Sequence, residues 1–224
     1  MLSNHAKGYY RDRELLNLLG SQSVLNTDQI RLLLFNDACL RIVQRRLRKL
    51  TERKLIKRGR ISIDEPFYYY LNSKPGQLDH TLGVSWIYTW INMTLTNKES
   101  IHKFEREVDY KILRSDAFLA VKNTWSKGFS FFFFEFDNDS SNSFDKVKKY
   151  NLLYGKEMYL GRWWVPLAKR FPMVVIVTTG SKKIIESKIR DENVNNLKFK
   201  VYSFNEIKEE CQNGNGRYGS IRTK

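Results

Sequence analysis

Charged side chains stand at the ends of predicted strands in the second half of the chain. Asp116 lies near the start of the segment RSDAFLAVKN, and Glu135 and Asp137 end the segment FSFFFFEFD. Lys146 follows a polar loop and lies on the next predicted helix. The apolar run Phe131–Phe134 is typical of a strand buried on both faces. A carboxylate that directly follows such a strand therefore needs a neutralising partner.

A divalent cation would neutralise these carboxylates. Two adjacent strands would bring Asp116 and Glu135 to one edge of a sheet, as candidate metal ligands for Mg²⁺ or Mn²⁺. A metal-bound water beside a lysine is a usable nucleophile for a phosphodiester, so Lys146 is a candidate catalytic residue, with Asp137 assisting. Each residue also has a structural interpretation. Asp116 could cap a turn, Asp137 could belong to an Asx turn, and Lys146 could be a solvated helix residue.

The elements around these residues read as α-β-β-β-α-β-α-β. A long helix follows Pro75 and Gly76, and three extended segments follow it: KFEREVDYKIL, RSDAFLAVKN and FSFFFFEFDN. A helix over about 144–160, the strand FPMVVIVTT, the helix SKKIIESKIRDE and the strand LKFKVYSF complete the order. The segment 209–224 is rich in Gly and Asn and is predicted to be a flexible tail.

The first 74 residues read as helix, helix, basic helix and hairpin, which is the order of a winged helix-turn-helix. One helix is predicted around 10–20, and a second begins with Thr27 as its N-cap. Gly59 is assigned to a hairpin turn because glycine accepts positive φ. The basic helix has apolar residues at helical spacing, namely Ala38, Ile42, Val43, Leu47 and Leu50.

Basic residues are concentrated in this helix and hairpin. Residues 37–60 hold ten Lys or Arg against two acids, Asp37 and Glu52. A helix in the major groove and a basic wing on the phosphate backbone would use that charge. The alternative is a solvated helix on a protein–protein module. The candidate DNA-binding residues are Arg41, Arg45, Arg46, Arg48, Lys49, Arg53, Lys57, Arg58 and Arg60.

The composition limits the function classes. The 224 residues carry a net charge of +15, which favours a polyanionic partner, either nucleic acid or an anionic membrane surface. A generally lysine-rich composition is the alternative explanation. Cys39 and Cys211 are the only cysteines and exclude a cysteine-based zinc site. Because no apolar stretch approaches 18 residues and the N-terminus has no apolar signal region, a cytoplasmic protein without a membrane partner is expected.

The second half resembles the PD-(D/E)XK nuclease superfamily, which has an αβββαβ core. The segment SDA at 115–117 resembles its PD element, with Ser115 in place of proline, and EFD at 135–137 resembles its (D/E)XK element, with Asp137 at the lysine position. Some members carry the lysine on the following helix, which implies Lys146 here. The resemblance also gives weaker candidates: Lys148 and Lys149 for the migrated lysine, and Glu105 or Glu107 for an additional acid.

The whole chain resembles the plasmid replication-relaxation proteins. The matching pieces include NTDQIRLLLF, RRLRKLTERKLIKR, YYYLNSKPGQLDHTLGV, ILRSDAFLAV and FFFFEFDNDSSNSFDKVKKY, in order over roughly residues 25–180. The resemblance implies an α+β protein with an N-terminal winged helix over 1–74, a restriction-endonuclease-like domain over 75–208 and a tail over 209–224.

The expected function is that of a DNA-binding protein in replication or copy control of a plasmid or mobile element. Its expected partners are double-stranded DNA, a second copy in a homodimer, and replication proteins. The alternative is an active Mg²⁺-dependent DNA endonuclease, a nickase, that uses Asp116, Glu135 and Lys146. A DNA-binding regulator whose second domain serves only for assembly stays open beside it.

Overall fold

The computed structural model describes residues 4–35, 38–138 and 144–213. Helices and two separate sheets in these ranges confirm a mixed α+β protein. The chain divides into two compact units, Met1–Thr89 and Trp90–Lys224. The boundary therefore lies inside a helix and not after residue 74, because Leu78 packs with Val24 and Ser85 Oγ donates to Val24 O at 2.8 Å in the first unit.

Over its described residues, the first unit contains three helices, a small antiparallel sheet in the order β1-β3-β2, and the start of a fourth helix. Its core consists of aliphatic residues from all three helices, among them Leu15, Ile30 and Leu47, with Tyr69 of the sheet. The elements are α1 Asn4–Gln22, β1 Leu25–Asn26, α2 Thr27–Leu34, α3 Leu40–Glu52, β2 Lys57–Gly59 and β3 Tyr68–Tyr70.

The helix α2 begins one residue earlier than predicted. Asn26, not Thr27, is the N-cap. Its side chain accepts from Gln29 N at 2.9 Å, and Gln29 Oε1 accepts from Asn26 N at 2.7 Å. This reciprocal capping box satisfies two of the unpaired amides at the helix start. Thr27 Oγ1 donates instead to Phe67 O at 3.1 Å, which ties the helix start to the segment before β3.

The helix α3 buries Val43, Leu47 and Leu50, which lie on one face at spacings of four and three residues. Ile42 was also assigned to this face, but its side chain is 44% exposed. Residue 42 lies beside the buried stripe, on the basic surface of the helix.

Gly59 lies within β2 and not at a hairpin turn. It pairs with Tyr68 across the sheet, and a Cβ at this position would overlap the phenol ring of Tyr68. Glycine is therefore required for the close approach of a ring, and the expected reason, a positive φ, was wrong.

The second unit contains a five-stranded sheet in the order β4-β5-β6-β7-β8. The first three strands pair antiparallel, and β6, β7 and β8 pair parallel. The elements, counting α4 that starts in the first unit, are α4 Leu78–Thr94, β4 Glu99–Asp109, β5 Arg114–Asn123, β6 Phe129–Asp137, α5 Lys146–Gly155, a 3₁₀ turn Val165–Leu167, β7 Met173–Thr178, α6 Lys182–Glu192, β8 Phe199–Ser203 and α7 Phe204–Gln212.

The phenylalanine run of β6 is buried on both faces, as predicted. Phe133 contacts Tyr150 of α5 and Phe171 on one face of the sheet, with ring centroids 5.1 and 5.5 Å apart. Phe136, on the other face, contacts Phe204 of α7 at 5.1 Å. The central strand is therefore rigidly packed up to the carboxylates that end it.

The predicted tail begins too early. Residues 209–212 belong to α7, which starts with a capping box between Ser203 and Glu206 and buries Ile207 and Cys211. The rest of the predicted tail, 214–224, lies outside the described residues.

Candidate functional site

The pairing of three strands positions the acidic residues. Ala117 pairs with Phe134 between β5 and β6, which places the next pair, Asp116 and Glu135, side by side at the end of the sheet. On the other side of β5, Arg106 of β4 pairs with Ala117. The sheet register therefore brings two carboxylates and a guanidinium to one edge.

The carboxyl group of Glu135 is buried, with 1% of its residue surface exposed. Tyr150 Oη donates to Glu135 Oε1 at 2.5 Å, and Lys146 Nζ lies 2.5 Å from Oε2. Lys146 and Tyr150 are four residues apart, so one face of α5 places both over the carboxylate. The start of this helix therefore supplies both groups that contact Glu135.

Asp116 lies at the rim of the same cluster. Its Oδ2 accepts from the backbone amide of Phe136 at 2.7 Å, and its Oδ1 lies 3.8 Å from Lys146 Nζ. Lys146 Nζ also donates to Arg114 O at 2.7 Å. Lys146 thus links the two acidic residues and the start of β5, as a single ammonium shared between both carboxylates.

Burial and charge shift the protonation of this cluster. Burial raises the pKa of Glu135 to about 8, and the neighbouring charge of Asp116 adds to this, against the smaller opposing effects of Lys146 and Tyr150. Burial acts against the ammonium of Lys146, but the charges of Glu135 and Asp116 outweigh it and raise the pKa of Lys146. Burial, with the charge of Glu135, also raises the pKa of Tyr150 well above its ordinary value.

Two residues of this site, Tyr150 and Arg106, were not predicted. Tyr150 is completely buried, and its Oη lies 3.1 Å from Ser115 Oγ as well as contacting Glu135. Burial lowers the pKa of Arg106, opposed by the charges of Glu107 and Asp116, so this guanidinium lies in the field of the site. The four-residue spacing of Lys146 and Tyr150 was the signal in the sequence that could have identified the tyrosine.

Other predicted site residues make different contacts. Asp137 Oδ2 accepts from Thr178 Oγ1 of β7 at 2.7 Å. Of the alternative lysines, Lys148 pairs with Glu192 at 3.4 Å and Lys149 with Asp145 at 2.8 Å. The alternative acids contact β4 and its surroundings: Glu105 pairs with Lys103 and accepts from Trp163, and Glu107 pairs with Arg114. Lys146 is thus the lysine of α5 that reaches the buried glutamate.

The donor set can be compared with the needs of a hard cation. Mg²⁺ commonly binds through one or two carboxylates and keeps several waters, which suits Asp116 and Glu135. Within the described ranges, no three His, Cys, Asp or Glu residues converge, so water or backbone carbonyls would complete the shell. Lys146 approaches Glu135 Oε2 as an ion pair, but no donor in the described part of the chain meets this buried oxygen in hydrogen-bond geometry. A cation that binds Glu135 Oε2 would have to displace the Lys146 ammonium 2.5 Å away.

The second candidate surface is the basic face of the first unit. Arg58 and Arg60 lie over the ring of Phe67, at 4.8 and 4.9 Å from its centroid, which orders the segment between β2 and β3. Lys57 Nζ donates to Asn72 O at 2.6 Å. Except for Arg46, the predicted DNA-binding residues are exposed: Arg41, Arg45, Arg48, Lys49, Arg53, Lys57, Arg58 and Arg60.

Arg46 differs from the other basic residues of α3. Its guanidinium makes a two-pronged contact with Asp12 of α1, in which Nε donates to Oδ1 at 2.7 Å and Nη2 contacts Oδ2. The hydrogen bond with Asp12 raises the pKa of Arg46 against its partial burial. Asp12 neutralises the charge of the Arg46 guanidinium, and the contact between the two side chains connects α3 to α1.

No family model and no curated protein matches the chain. Among solved structures, the chain is similar to protein VC1899 from Vibrio cholerae, with 14% sequence identity and a TM-score of 0.34. The match covers 81% of this chain and 44% of that one, so this chain spans less than half of that protein. A likeness at this level carries no argument about function. In the described ranges, every helix is too short or too polar to cross a bilayer.

Proposed function

We propose that the protein binds double-stranded DNA through α3 and the β2–β3 hairpin of its first unit, as a winged helix-turn-helix. The observation that carries this proposal is the concentration of exposed cations on one helix and the adjacent strands. Arg41, Arg45 and Lys49 are exposed on the outer face of α3. Val43 and Leu47, on the opposite face, are buried in the core.

Two elements would share the work of binding. A helix of this size fits the major groove, where Arg side chains contact guanine edges and phosphates. The wing, with Arg58 and Arg60 ordered over Phe67, would contact the phosphate backbone. Arg48 forms an exposed ion pair with Glu52, with 3.0 Å between Nε and Oε1. An ion pair exposed to water contributes little free energy, so Arg48 can exchange Glu52 for a phosphate.

The biological setting of the proposal rests on the resemblance to plasmid replication-relaxation proteins. Control of replication or copy number of a plasmid or mobile element requires recognition of a DNA site. A second copy of the chain and replication proteins are the partners that this role would add. The net charge of +15 supports a polyanionic partner.

Binding to duplex DNA tests the proposal directly. Fluorescence polarisation with a labelled 30-base-pair duplex, repeated over a range of salt concentrations, gives the affinity and its salt dependence. The triple variant Arg41→Gln, Arg45→Gln, Lys49→Gln should bind at least tenfold more weakly, with a shallower dependence on salt. A matched triple variant of the second unit, Lys111→Gln, Lys156→Gln, Lys183→Gln, should bind like the wild type. Equal losses in both variants would reject the proposal.

A second candidate function is metal-dependent cleavage of DNA by the second unit. The observation that favours it is the convergence of Asp116, Glu135 and Lys146 at one sheet edge. Asp116 and Glu135 would hold Mg²⁺ or Mn²⁺, which would supply a Lewis acid and an acidified water. Tyr150 would keep Glu135 oriented by its hydrogen bond to Oε1, and the Lys146 ammonium would stabilise the negative charge that develops on the phosphoryl oxygens.

Calorimetry with Mg²⁺ or Mn²⁺ and nicking of supercoiled plasmid test this candidate in the same samples. Glu135→Gln should abolish both metal heat and nicking. Glu209→Gln, which alters an exposed carboxylate on α7, should leave both unchanged. Nicking that survives in Glu135→Gln would assign it to another site or to a contaminant. Duplex binding without metal heat or nicking would leave the carboxylates a structural role.

A further inference from the structure

A large cleft lies at the edge of the five-stranded sheet opposite to Glu135. It has a volume of about 1010 Å³ and is lined by the first four residues of β6, by Met173 at the start of β7, and by Phe199 at the start of β8. Because these three strands are parallel, their first residues share one edge, while Glu135 and Asp137 lie at the other. The cleft is therefore separate from the carboxylate site.

The charge of the cleft has one sign. Lys169, Arg170, Lys198 and Lys200 line it, and among the described residues that line it none is acidic. Lys169, Arg170 and Lys198 are exposed, and no ion pair in the described part of the chain involves any of these three. The backbone of Lys198 is fixed at the edge, because its carbonyl accepts from Val174 N at 2.8 Å. The side chains of Lys169, Arg170 and Lys198 can therefore bind an anion in the cleft.

Aromatic rings lie among these cations. Phe129, Phe171 and Phe199 are half-buried and line the cleft, and Phe129 stacks on Phe131 with centroids 5.9 Å apart. Rings that are held by the core on one side and remain partly exposed can receive a flat ligand. Cations and aromatic surfaces in one groove match a ligand that carries phosphates and bases.

The same edge continues past the cleft into the turn between β5 and β6. Trp125 in this turn is 76% exposed, and Lys98 Nζ lies 4.0 Å from its ring centroid. Lys127 follows in the same turn, two residues before Phe129. An array of alternating cations and rings that extends beyond the cavity favours a polymer over a single small ligand.

We propose that this edge of the second unit binds single-stranded nucleic acid. Lys169, Arg170 and Lys198 contact the phosphates, and bases stack on the phenylalanine rings of the cleft. A flexible single strand can turn its bases toward the protein, whereas the bases of a duplex are stacked inside the helix. This inference does not depend on the winged-helix interpretation of the first unit, because different residues carry it.

The test uses the full chain and fluorescein-labelled dT12 and rU12 oligonucleotides, measured by polarisation at physiological salt. The variant Lys169→Gln, Arg170→Gln, Lys198→Gln should weaken binding of at least one oligonucleotide tenfold or more. The control Lys111→Gln, Lys156→Gln, Lys183→Gln removes the same charge from surfaces outside the cleft and should stay within about twofold. Equal losses in both variants, or no binding of either oligonucleotide by the wild type, would overturn the proposal.

Two further measurements separate stacking and duplex binding. Phe129→Leu keeps an apolar side chain but removes a ring, and it should weaken oligonucleotide binding roughly fivefold or more. The cleft variant should retain binding to a 30-base-pair duplex, while the α3 triple variant should retain binding to dT12 or rU12. Competition by millimolar inorganic phosphate alone, or a cleft variant that loses duplex and single strand equally, would reject a single-strand site. Failure of the α3 proposal is visible separately in the duplex measurements.

Discussion

Lys146 Nζ lies 2.5 Å from Glu135 Oε2 and joins the first turn of α5 to the end of the central strand. The strand ends in a buried carboxyl group, and the ammonium offsets only part of the effect of burial, which still raises the pKa of Glu135. Lys146 is eleven residues after Glu135 in the sequence, and the packing of α5 on the sheet brings the two side chains into contact. Any cation that binds Glu135 competes with this ammonium and with a proton, because the pKa of Glu135 is raised to about 8.

The stability of the second unit should fall as pH rises through this range. The folded pKa of Glu135 is about 8 against an ordinary value of 4.5, so the folded state keeps a proton that the unfolded state has lost. The stabilisation is fully present below pH 4.5 and is lost as pH rises through about 8, at no more than about 1.4 kcal/mol per pH unit. Urea unfolding followed by tryptophan fluorescence between pH 5 and 8 measures this loss.

Glu135→Gln removes the titrating group and keeps its shape. The free energy of unfolding of the wild type, relative to this variant, should decrease between pH 5 and 8. Parallel pH profiles for the two proteins would show that Glu135 keeps an ordinary pKa in the folded state.

Tyr150→Phe should destabilise the second unit and shift the titration of Glu135. The substitution removes the donor to Glu135 Oε1 and leaves a buried oxygen without it, at a cost of about 1–3 kcal/mol. Because the hydrogen bond from Tyr150 lowers the pKa of Glu135, its loss should move the pH-dependent loss of stability to higher pH. Urea unfolding at several pH values measures both effects.

The control for this prediction lies on the same helix. Tyr154 is 37% exposed and packs its ring against Tyr159 and Phe171. Tyr154→Phe should change the free energy of unfolding by less than about 0.5 kcal/mol, with an unchanged pH profile. Equal effects of the two substitutions would show that the Tyr150 hydroxyl contributes no more stability than the partly exposed hydroxyl of Tyr154.

The positions of the two acidic residues in the site could be predicted, and their contacts could not. Strand order and pairing place Asp116 beside Glu135, because neighbouring strands share an edge. The spacing of four residues places Tyr150 on the same face of α5 as Lys146. The sequence does not show that this face meets Glu135, and it does not distinguish Arg106 from the other charged residues of β4. The roles of Tyr150 and Arg106 depend on how α5 packs on the sheet and on how β4 pairs with β5.

The order of the helices and strands followed from periodicity, whereas their ends did not. The capping box at Asn26 and the helical turn at residues 209–212 depend on which polar side chain meets a free amide and on whether Ile207 and Cys211 find a core. Gly59 shows the same limit, because its partner Tyr68 is distant in sequence. The local sequence pattern predicts the type and order of the helices and strands, whereas contacts between residues distant in sequence determine where each element begins and ends.

Substitution of Arg45 should affect mainly DNA binding, and substitution of Arg46 should affect mainly stability. Arg45 is exposed, so Arg45→Gln should weaken duplex binding, reduce the slope of log affinity against log salt by about 1, and change stability by less than about 0.5 kcal/mol. Arg46 contacts Asp12, so Arg46→Gln should cost about 1 kcal/mol of stability with little change in the salt slope. A lower salt slope in Arg46→Gln than in Arg45→Gln would show that Arg46 leaves Asp12 to contact a phosphate.

Gly59→Ala should destabilise the hairpin and, with it, duplex binding by the first unit. The added methyl group would overlap the Tyr68 ring, which is buried and packs with Val24 and Leu78, so the ring cannot move aside freely. Overpacking of this kind costs about 1–3 kcal/mol, measured by urea unfolding. Gly76→Ala, where a methyl group meets no neighbouring atom, is the matched control. In a Tyr68→Leu background the cost of Gly59→Ala should disappear, because the ring is the obstacle; an unchanged cost there would place the strain in the backbone of β2.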